Sequence, residues 1–366
     1  MTTPSPAPTV PDGGEHLLDV RDLHVEFRMR DGIAKAINGV SFTLDERETL
    51  AILGESGSGK SVTAQAVMGI IDTPPGYVTG GQILFRGQDL QQMPEAQRRN
   101  VRGAQIAMIF QDALSALNPV FPVGWQIAEM FRVHKGMNKA DALAAAAALM
   151  ERVHIPGAAQ RVSAYPHQFS GGMRQRIMIA MAIALDPVVL IADEPTTALD
   201  VTVQAQIMDL LSELQAEYGM GLILITHDLG VVANVADRCA VMYAGRLVET
   251  APSVPLYAEP RHPYTQGLLE SLPRLDSKRG QTLPAIGGLP PNLFAMPAGC
   301  PFNPRCKYST DGCRTGDAPP LEAVGAGRYA ACWRANDPDV LAAASRLGAA
   351  QAATDVPGPG LGGDAE

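Results

Sequence analysis

The chain has no uninterrupted apolar run near the roughly 18 residues that a membrane-crossing helix needs. The apolar run Ile177 to Leu185 stops at Asp186 and Pro187 and is expected to be a core helix. No secretion leader is expected either. The opening M-T-T-P-S-P-A-P-T-V-P-D-G-G has no basic segment and no apolar stretch, and its composition is that of a disordered leader over residues 1–15. Both deficits lead to the expectation of a cytoplasmic protein. Positive charge is scarce: 29 Lys and Arg against 38 Asp and Glu give a net charge of -9. Binding to a phosphodiester backbone needs a basic surface, so a nucleic-acid partner is excluded. Cysteine is sparse too, at five, yet four of the five crowd into residues 300–332.

What the chain does have is a phosphate cradle. Gly54, Glu55, Ser56, Gly57, Ser58, Gly59, Lys60 and Ser61 spell G-E-S-G-S-G-K-S, followed by Val62. The three glycines allow successive backbone N–H groups to turn toward one point, and a helix starting near Lys60 adds the positive end of its dipole. Lys60 can then reach the β- and γ-phosphates, and the Ser61 hydroxyl can ligate Mg²⁺. The flanks suit this: Thr49 to Leu53 reads as a buried strand and Ser61 to Ile70 as a helix.

A second apolar run, Val188 to Ala192, reads as a strand buried on both faces that delivers Asp193 and Glu194 at its carboxyl end. Asp193 is placed to hold Mg²⁺ directly or through water, and Glu194 to act as general base toward the attacking water. Leu222 to Thr226 is a third such strand, ending at His227.

The order of these elements resembles the ATP-binding subunit of an ABC transporter over residues 18–255. Gln111 after the strand Ile106 to Phe110, S-G-G at Ser170 to Gly172 within F-S-G-G-M-R-Q-R, T-A-L-D at Thr197 to Asp200 and I-T-H-D at Ile225 to Asp228 carry the likeness. It implies an α/β P-loop NTPase core with a helical signature subdomain. By the same resemblance Gln111 senses Mg²⁺ and the membrane partner, and Ser170, Gly171 and Gly172 form the signature loop that serves the ATP of a partner ATPase. Asp200 stands at the position of the D-loop aspartate, His227 at that of the switch histidine, and Phe27 at that of the aromatic that stacks on adenine. Arg174 and Arg176 follow the signature glycines and are expected to support this second phosphate nest. The helix-forming segment of about 112–186, including Asp141 to Val153 bounded by Asn138 and Pro156, is expected to be the subdomain that receives the membrane subunit.

After residue 255 the character changes to proline-rich segments, R-H-P-Y-T-Q-G-L-L-E-S-L-P at Arg261 to Pro273 and G-L-P-P-N-L at Gly288 to Leu293. These resemble the C-terminal extension, about 256–337, of ATPases in the oligopeptide and dipeptide importer group. The resemblance implies a second, non-identical ATPase, two transmembrane permease subunits and an extracellular solute-binding protein, with this chain on the cytoplasmic face of the membrane and a short peptide as cargo. Members of the group also move nickel and other solutes. A soluble ABC ATPase is disfavoured by the acidic balance and by the lack of a fused second half. From about 338 the composition reads as a flexible tail, with room for a short helix at Val340 to Leu347.

Cys300, Cys306, Cys313 and Cys332 are separated by five, six and eighteen residues, and Cys239 stands apart on an expected core strand. Disulfides are not kept in a reducing compartment. The spacing leaves an iron–sulfur cluster, zinc or free thiols open, though zinc prefers closer pairs. The resemblance at G-C-P-F-N-P-R-C-K-Y implies a [4Fe-4S] cluster. Because the extension is read as a domain separate from the P-loop, nucleotide affinity is expected to be indifferent to these cysteines.

Overall fold

A computed structural model describes residues 16–197, 199–272 and 285–352, leaving aside the side chains of 114 and 350–352. The leader expected over 1–15 and the tail from 353 lie outside these residues.

Among the described residues twelve strands form two sheets. The first sheet has four strands in the order β2 (Gly32–Leu44), β1 (Leu18–Met29), β4 (Gly76–Phe85), β5 (Gln88–Asp89). The second runs β11 (Glu322–Gly325), β12 (Arg328–Ala330), β10 (Arg246–Pro252), β9 (Arg238–Tyr243), β3 (Thr49–Leu53), β8 (Gly221–Thr226), β7 (Val189–Asp193), β6 (Ile106–Ile109). From β9 to β6 every pairing is parallel; beyond β9 the sheet turns antiparallel.

The parallel part explains the unbroken apolar runs. Leu53, Ala192, Leu224 and Ile109 belong to a core on one face, packed by the helices Val123–Lys135, Lys139–Arg152, Gly171–Ile183 and Val201–Tyr218. Ile52, Ile191, Ile225 and Met108 face the other core, built with the helix Lys60–Met68 and the first sheet. Strands covered on both sides need apolar residues at every position rather than alternate ones. The Asn138 side chain caps the helix Lys139–Arg152 by accepting from the N–H groups of Ala140 and Asp141, each at 3.0 Å. Between β6 and β7 the chain is helical without a strand, and no helix among the described residues is long and apolar enough to cross a membrane.

Two expectations are corrected. The segment from 338 is not a loose tail over its first part: the short helix allowed at Val340 to Leu347 is there and is longer, Pro338–Ala352, with Val340 and Ala344 fully buried. Gln266 fastens it by donating to the carbonyl of Val340 at 3.0 Å. Gly348 meets the helix Ser253–Ala258 so closely that a Cβ there would lie 1.9 Å from the Ala258 carbonyl oxygen. Nor does the extension stand apart from the P-loop core. Its strand β12 pairs with β10 of the main sheet, Glu249 opposite Ala330, so one sheet crosses the expected boundary at 255.

Candidate active site

The strand order β3, β8, β7, β6 sets four loops side by side at the carboxyl ends of parallel strands, where open α/β sheets bind ligands. β3 leads into Gly54–Gly59, β8 into His227, β7 into Asp193 and Glu194, and β6 into Gln111. Lys60, Ser61, Gln111, Asp193, Glu194 and His227, up to 167 residues apart in the chain (227 − 60), are thereby neighbours by topology.

The cradle needs glycine for two reasons. Gly57 and Gly59 have φ of 78° and 108°, a left-handed region that costs other residues energy. At Gly54 a Cβ would also sit 2.3 Å from the carbonyl oxygen of Met242, and at Gly59 one would sit 2.9 Å from that of Ala36. Lys60 folds back over the loop and donates to the carbonyl oxygens of Gly54 at 2.7 Å and Glu55 at 3.0 Å. Burial holds its ammonium below the ordinary lysine range, opposed by the charges of Glu194, Asp193 and Glu55. An anion entering the cradle would favour the charged form.

Ser61 donates to Asp193 at 3.0 Å, so the two proposed Mg²⁺ ligands already face each other across the loop. Burial pushes Asp193 up from the usual carboxylate range and Glu194 adds to this, while the Ser61 hydrogen bond and Lys60 pull the other way. A divalent cation here would remove the cost of burying that charge. Glu194 accepts from Gln111 at 3.0 Å and from Thr197 at 2.8 Å, and His227 Nδ1 lies 3.4 Å from its other oxygen. Its backbone is unusual: φ is +46° in a residue that is not glycine. Such strain persists only where the surroundings over-determine it and is common at functional sites. Here the Glu194 N–H donates to the Ile225 carbonyl at 2.8 Å, which locks the turn.

One cleft of about 910 Å³ is lined by Gly54 to Gly57, Gly59 to Val62, Gln111, Glu194, His227 and Phe27, while Asp193 is buried behind Ser61 and does not line it. Ser58 is buried beneath the loop, its N–H donated to the Glu55 carbonyl at 3.2 Å. Ser170, Gly171, Gly172 and Asp200 do not line this cleft. Ser170 caps the helix Gly171–Ile183 by accepting from Met173 at 3.3 Å, and Asp200 caps the helix Val201–Tyr218 by accepting from Val203 at 3.0 Å. Arg174 donates through Nε to the Pro166 carbonyl at 2.9 Å, and Arg176 donates to the Val153 carbonyl and the Gln206 side chain, each at 3.1 Å. The N–H groups at the start of the helix Gly171–Ile183 could add to an anion site there.

The extension reaches the P-loop directly, which corrects the expectation of an indifferent neighbour. Arg305 grips Glu55 with both terminal nitrogens, at 2.6 and 2.9 Å, and its side chain is only 4% exposed. Tyr264 receives the Glu55 N–H at 2.8 Å. Tyr243, Tyr264 and Phe302 pack ring against ring beneath this pair, at centroid distances of 4.6 to 5.4 Å. Phe294, which also lines the cleft, carries no local sequence signal, and although Arg305 and Tyr264 lie in segments that carry the resemblance, nothing local encodes their contacts with Glu55.

Cys300, Cys306, Cys313 and Cys332 are free thiols lining one small pocket with Phe302, Tyr308 and Trp333. Burial pushes Cys300 up to about 11 and Cys332 up to about 12, each raised further by its neighbouring sulfurs. Backbone N–H groups address the sulfurs of Cys300, Cys306 and Cys332, the last from Arg334 at 3.4 Å. Among the described residues no three His, Cys, Asp or Glu side chains form a group that could hold one metal ion. The geometry therefore assigns neither a zinc ion nor the expected iron–sulfur cluster to this pocket. Cys239 is fully buried on β9, where its sulfur lies 3.3 Å from the Ser253 hydroxyl.

Comparison with known proteins agrees with this site. The ABC transporter family matches residues 37–197, and the oligopeptide/dipeptide transporter C-terminal region matches 248–313. The chain is 49% identical to the oligopeptide transport ATP-binding protein OppD of Salmonella typhimurium, over 91% of this chain and 98% of that one. It is 52% identical to the protein of the same name from Bacillus subtilis, over 87% and 88%. Among solved structures, cbiO1 from Clostridium perfringens, part of the ABC transporter complex cbiONQ, superposes with a TM-score of 0.57 at 28% identity, covering 67% of this chain and 92% of that one. A dimeric post-hydrolysis state of the ATP-binding cassette MJ0796 bound to ADP and Pi shares the fold, with a TM-score of 0.58 at 24% identity over 64% and 98%.

Proposed function

Since the chain belongs to the ATP-binding subunits of ABC transporters, in the oligopeptide/dipeptide group, we propose that it powers peptide uptake by binding and hydrolysing Mg-ATP at an interface with a second, non-identical ATPase. The observation that carries the reading is the convergence of Lys60, Ser61, Asp193, Glu194, Gln111 and His227 at adjacent strand ends. In it Lys60 and the loop N–H groups bind the phosphates, while Ser61 and Asp193, with Gln111, hold Mg²⁺. Glu194 takes the proton of the attacking water, and His227 is placed to touch the γ-phosphate. Phe27 would stack on the adenine.

The partner ATPase is inferred from the signature loop, since Ser170, Gly171 and Gly172 do not line the chain's own cleft and would complete the partner's. Asp200 would lie at the same interface. The permease subunits would dock beside Gln111, where Phe110, Val120 and Phe121 are exposed at 42%, 69% and 40%. Phe121 stacks on Trp125 there at 4.4 Å. The solute-binding protein would meet the complex on the opposite side of the membrane, leaving this chain peripheral on the inner face. Copurification with its permease subunits, reconstitution in vesicles and assay of ATP-dependent peptide entry test the reading. Uptake of a metal ion but not of peptides would overturn the cargo while sparing the ATPase.

A [4Fe-4S] cluster on Cys300, Cys306, Cys313 and Cys332 is part of the same proposal. Its support is the donor set: four cysteines round one pocket, with N–H groups directed at three of the sulfurs, as thiolates require. Bound there, the cluster would supply cross-linking of a loop-rich segment rather than redox chemistry, since ATP hydrolysis moves no electrons. Anaerobically purified protein should carry about four irons per chain and absorb near 400 nm; stoichiometric zinc without iron would sink this part alone.

A further inference from the structure

The wall of the nucleotide cleft is not built by the P-loop core alone. On the hairpin β1–β2, Phe27 pairs with Ala34 and Met29 with Gly32, and paired residues project to the same side of a sheet. Phe27, Met29, Ala34 and Ala36 all line the cleft. Over this apolar floor the extension lays a turn. Asn292 accepts from the Phe294 N–H at 2.9 Å through its side chain and from the Ala295 N–H at 3.0 Å through its carbonyl, which presents Leu293 and Phe294 at the tip. Both line the same cleft, and Phe294 comes so near the hairpin that a Cβ on Gly32 would meet its ring at 3.5 Å. The ring is nevertheless 45% exposed, so packing in the protein does not use it up.

The turn is tied to the phosphate loop by one side chain. Besides gripping Glu55, Arg305 donates to the carbonyl oxygens of Gly287 at 3.0 Å and Ile286 at 3.3 Å, the segment that leads into the turn. The guanidinium thus sets the distance between the phosphate cradle and the Phe294 ring.

We propose that Phe294 is a base-binding residue, so that the purine of ATP is held between Phe27 of the first strand and Phe294 of the C-terminal extension, with Arg305 as its positioning residue. The inference rests on the cleft being a nucleotide site. A half-exposed ring in an apolar recess gains most by stacking on a flat heteroaromatic face, which is worth about tenfold in affinity per base.

Equilibrium binding to the full-length chain tests it, with Mg-ATP and Mg-tripolyphosphate as probes. Phe294→Ala should weaken ATP about tenfold and leave tripolyphosphate unchanged, while Phe294→Tyr should keep wild-type affinity for both. Unchanged ATP affinity in Phe294→Ala would overturn the proposal. Equal weakening of both ligands would overturn it as well, because the effect would then pass through the phosphate cradle rather than the base. Lys60→Ala separates this failure from a deeper one: if that variant still binds both probes like the wild type, the nucleotide reading falls and the inference with it.

Discussion

The P-loop core and the C-terminal extension meet at Glu55 and are held together by opposite means. In the core, functional residues hang from parallel strands buried on both faces, Val189 to Ala192 and Leu222 to Ile225 being at most 2% exposed. The extension has short 3-10 turns, Asn303–Arg305 and Asp311–Cys313, and the two brief strands β11 and β12. Its order comes from polar clamps: Arg305 on Glu55, Arg328 on Glu259 at 3.0 Å, and Arg334 on the Tyr308 carbonyl at 2.7 Å. A region of short turns tied by polar clamps, even with Tyr264 and Phe302 buried in the core, should open locally at lower free energy than a sheet core. The contrast teaches that the chemistry sits on the rigid part, whereas a wall of its binding cleft is lent by the part most easily loosened.

Variants in the core should therefore cost turnover without loosening anything. Glu194→Gln keeps the acceptor for Gln111 and Thr197 but cannot take a proton; ATPase activity of the assembled complex is expected to fall by about 10² with ATP still bound. Activity near wild type would remove Glu194 from its role. Gly171→Asp probes the signature loop. A Cβ at Gly171 meets Leu199 at an ordinary 3.5 Å, whereas one at Gly172 would meet Val203 at 2.6 Å, so position 171 is the one the fold tolerates. The added carboxylate should lower turnover of the complex by at least about tenfold through repulsion of the partner's phosphate, and the chain's own P-loop should stay occupied. Full-rate hydrolysis by this chain in isolation would break the composite-site reading.

Variants in the extension should loosen it first and affect the nucleotide through that loosening. Arg305→Ala removes a two-pronged hydrogen bond to a charged group, worth about 2 kcal/mol. Hydrogen exchange should accelerate over residues 286–306 and not in β7 or β8, with ATP affinity falling in step; Cys306→Ser should do the same if the cysteine pocket carries a group that orders the segment. Unaltered exchange in Arg305→Ala would dissolve the comparison.

The smallest effect concerns acid. His262, fully buried, caps the helix Pro263–Glu270 by accepting the Tyr264 N–H at 3.0 Å, and burial pushes its pKa down to about 3 from 6.5. Below pH 6.5 the unfolded chain takes up a proton that the folded one refuses. The contribution is therefore whole above that pH and is lost as pH falls toward 3. His262→Asn retains a capping oxygen and should flatten this part of the stability–pH curve, measured as Tm between pH 7 and 5, with little change at pH 7.

Much of the core could be read from the chain because its signals are contiguous. The strand T-L-A-I-L followed by G-E-S-G-S-G-K-S fixes strand, loop and helix within 20 residues, and β7 and β8 announce themselves by a similar apolar pattern. Asp337 before Pro338, with Val340, Leu341 and Ala344 at helical spacing, was also a legible helix start, obscured by the alanine- and glycine-rich stretch that follows it. Arg305 and Phe294 were not legible. Their partners Glu55 and Gly32 lie about 250 residues away, and no periodicity encodes a contact made by one guanidinium or one ring. The separate-domain reading failed for that reason: proline-rich composition signals irregular backbone, not distance from the core.

The left-handed backbone at Glu194 sets the role proposed for this residue against the durability of the fold. A glycine would occupy φ of +46° without penalty, so Glu194→Gly should leave the fold at least as stable as before, by up to about 1 kcal/mol once the added freedom of the unfolded chain is subtracted. It should also be inert toward ATP. A protein that melts later as it stops working would mark this position as one where robustness is held back by the work the residue does.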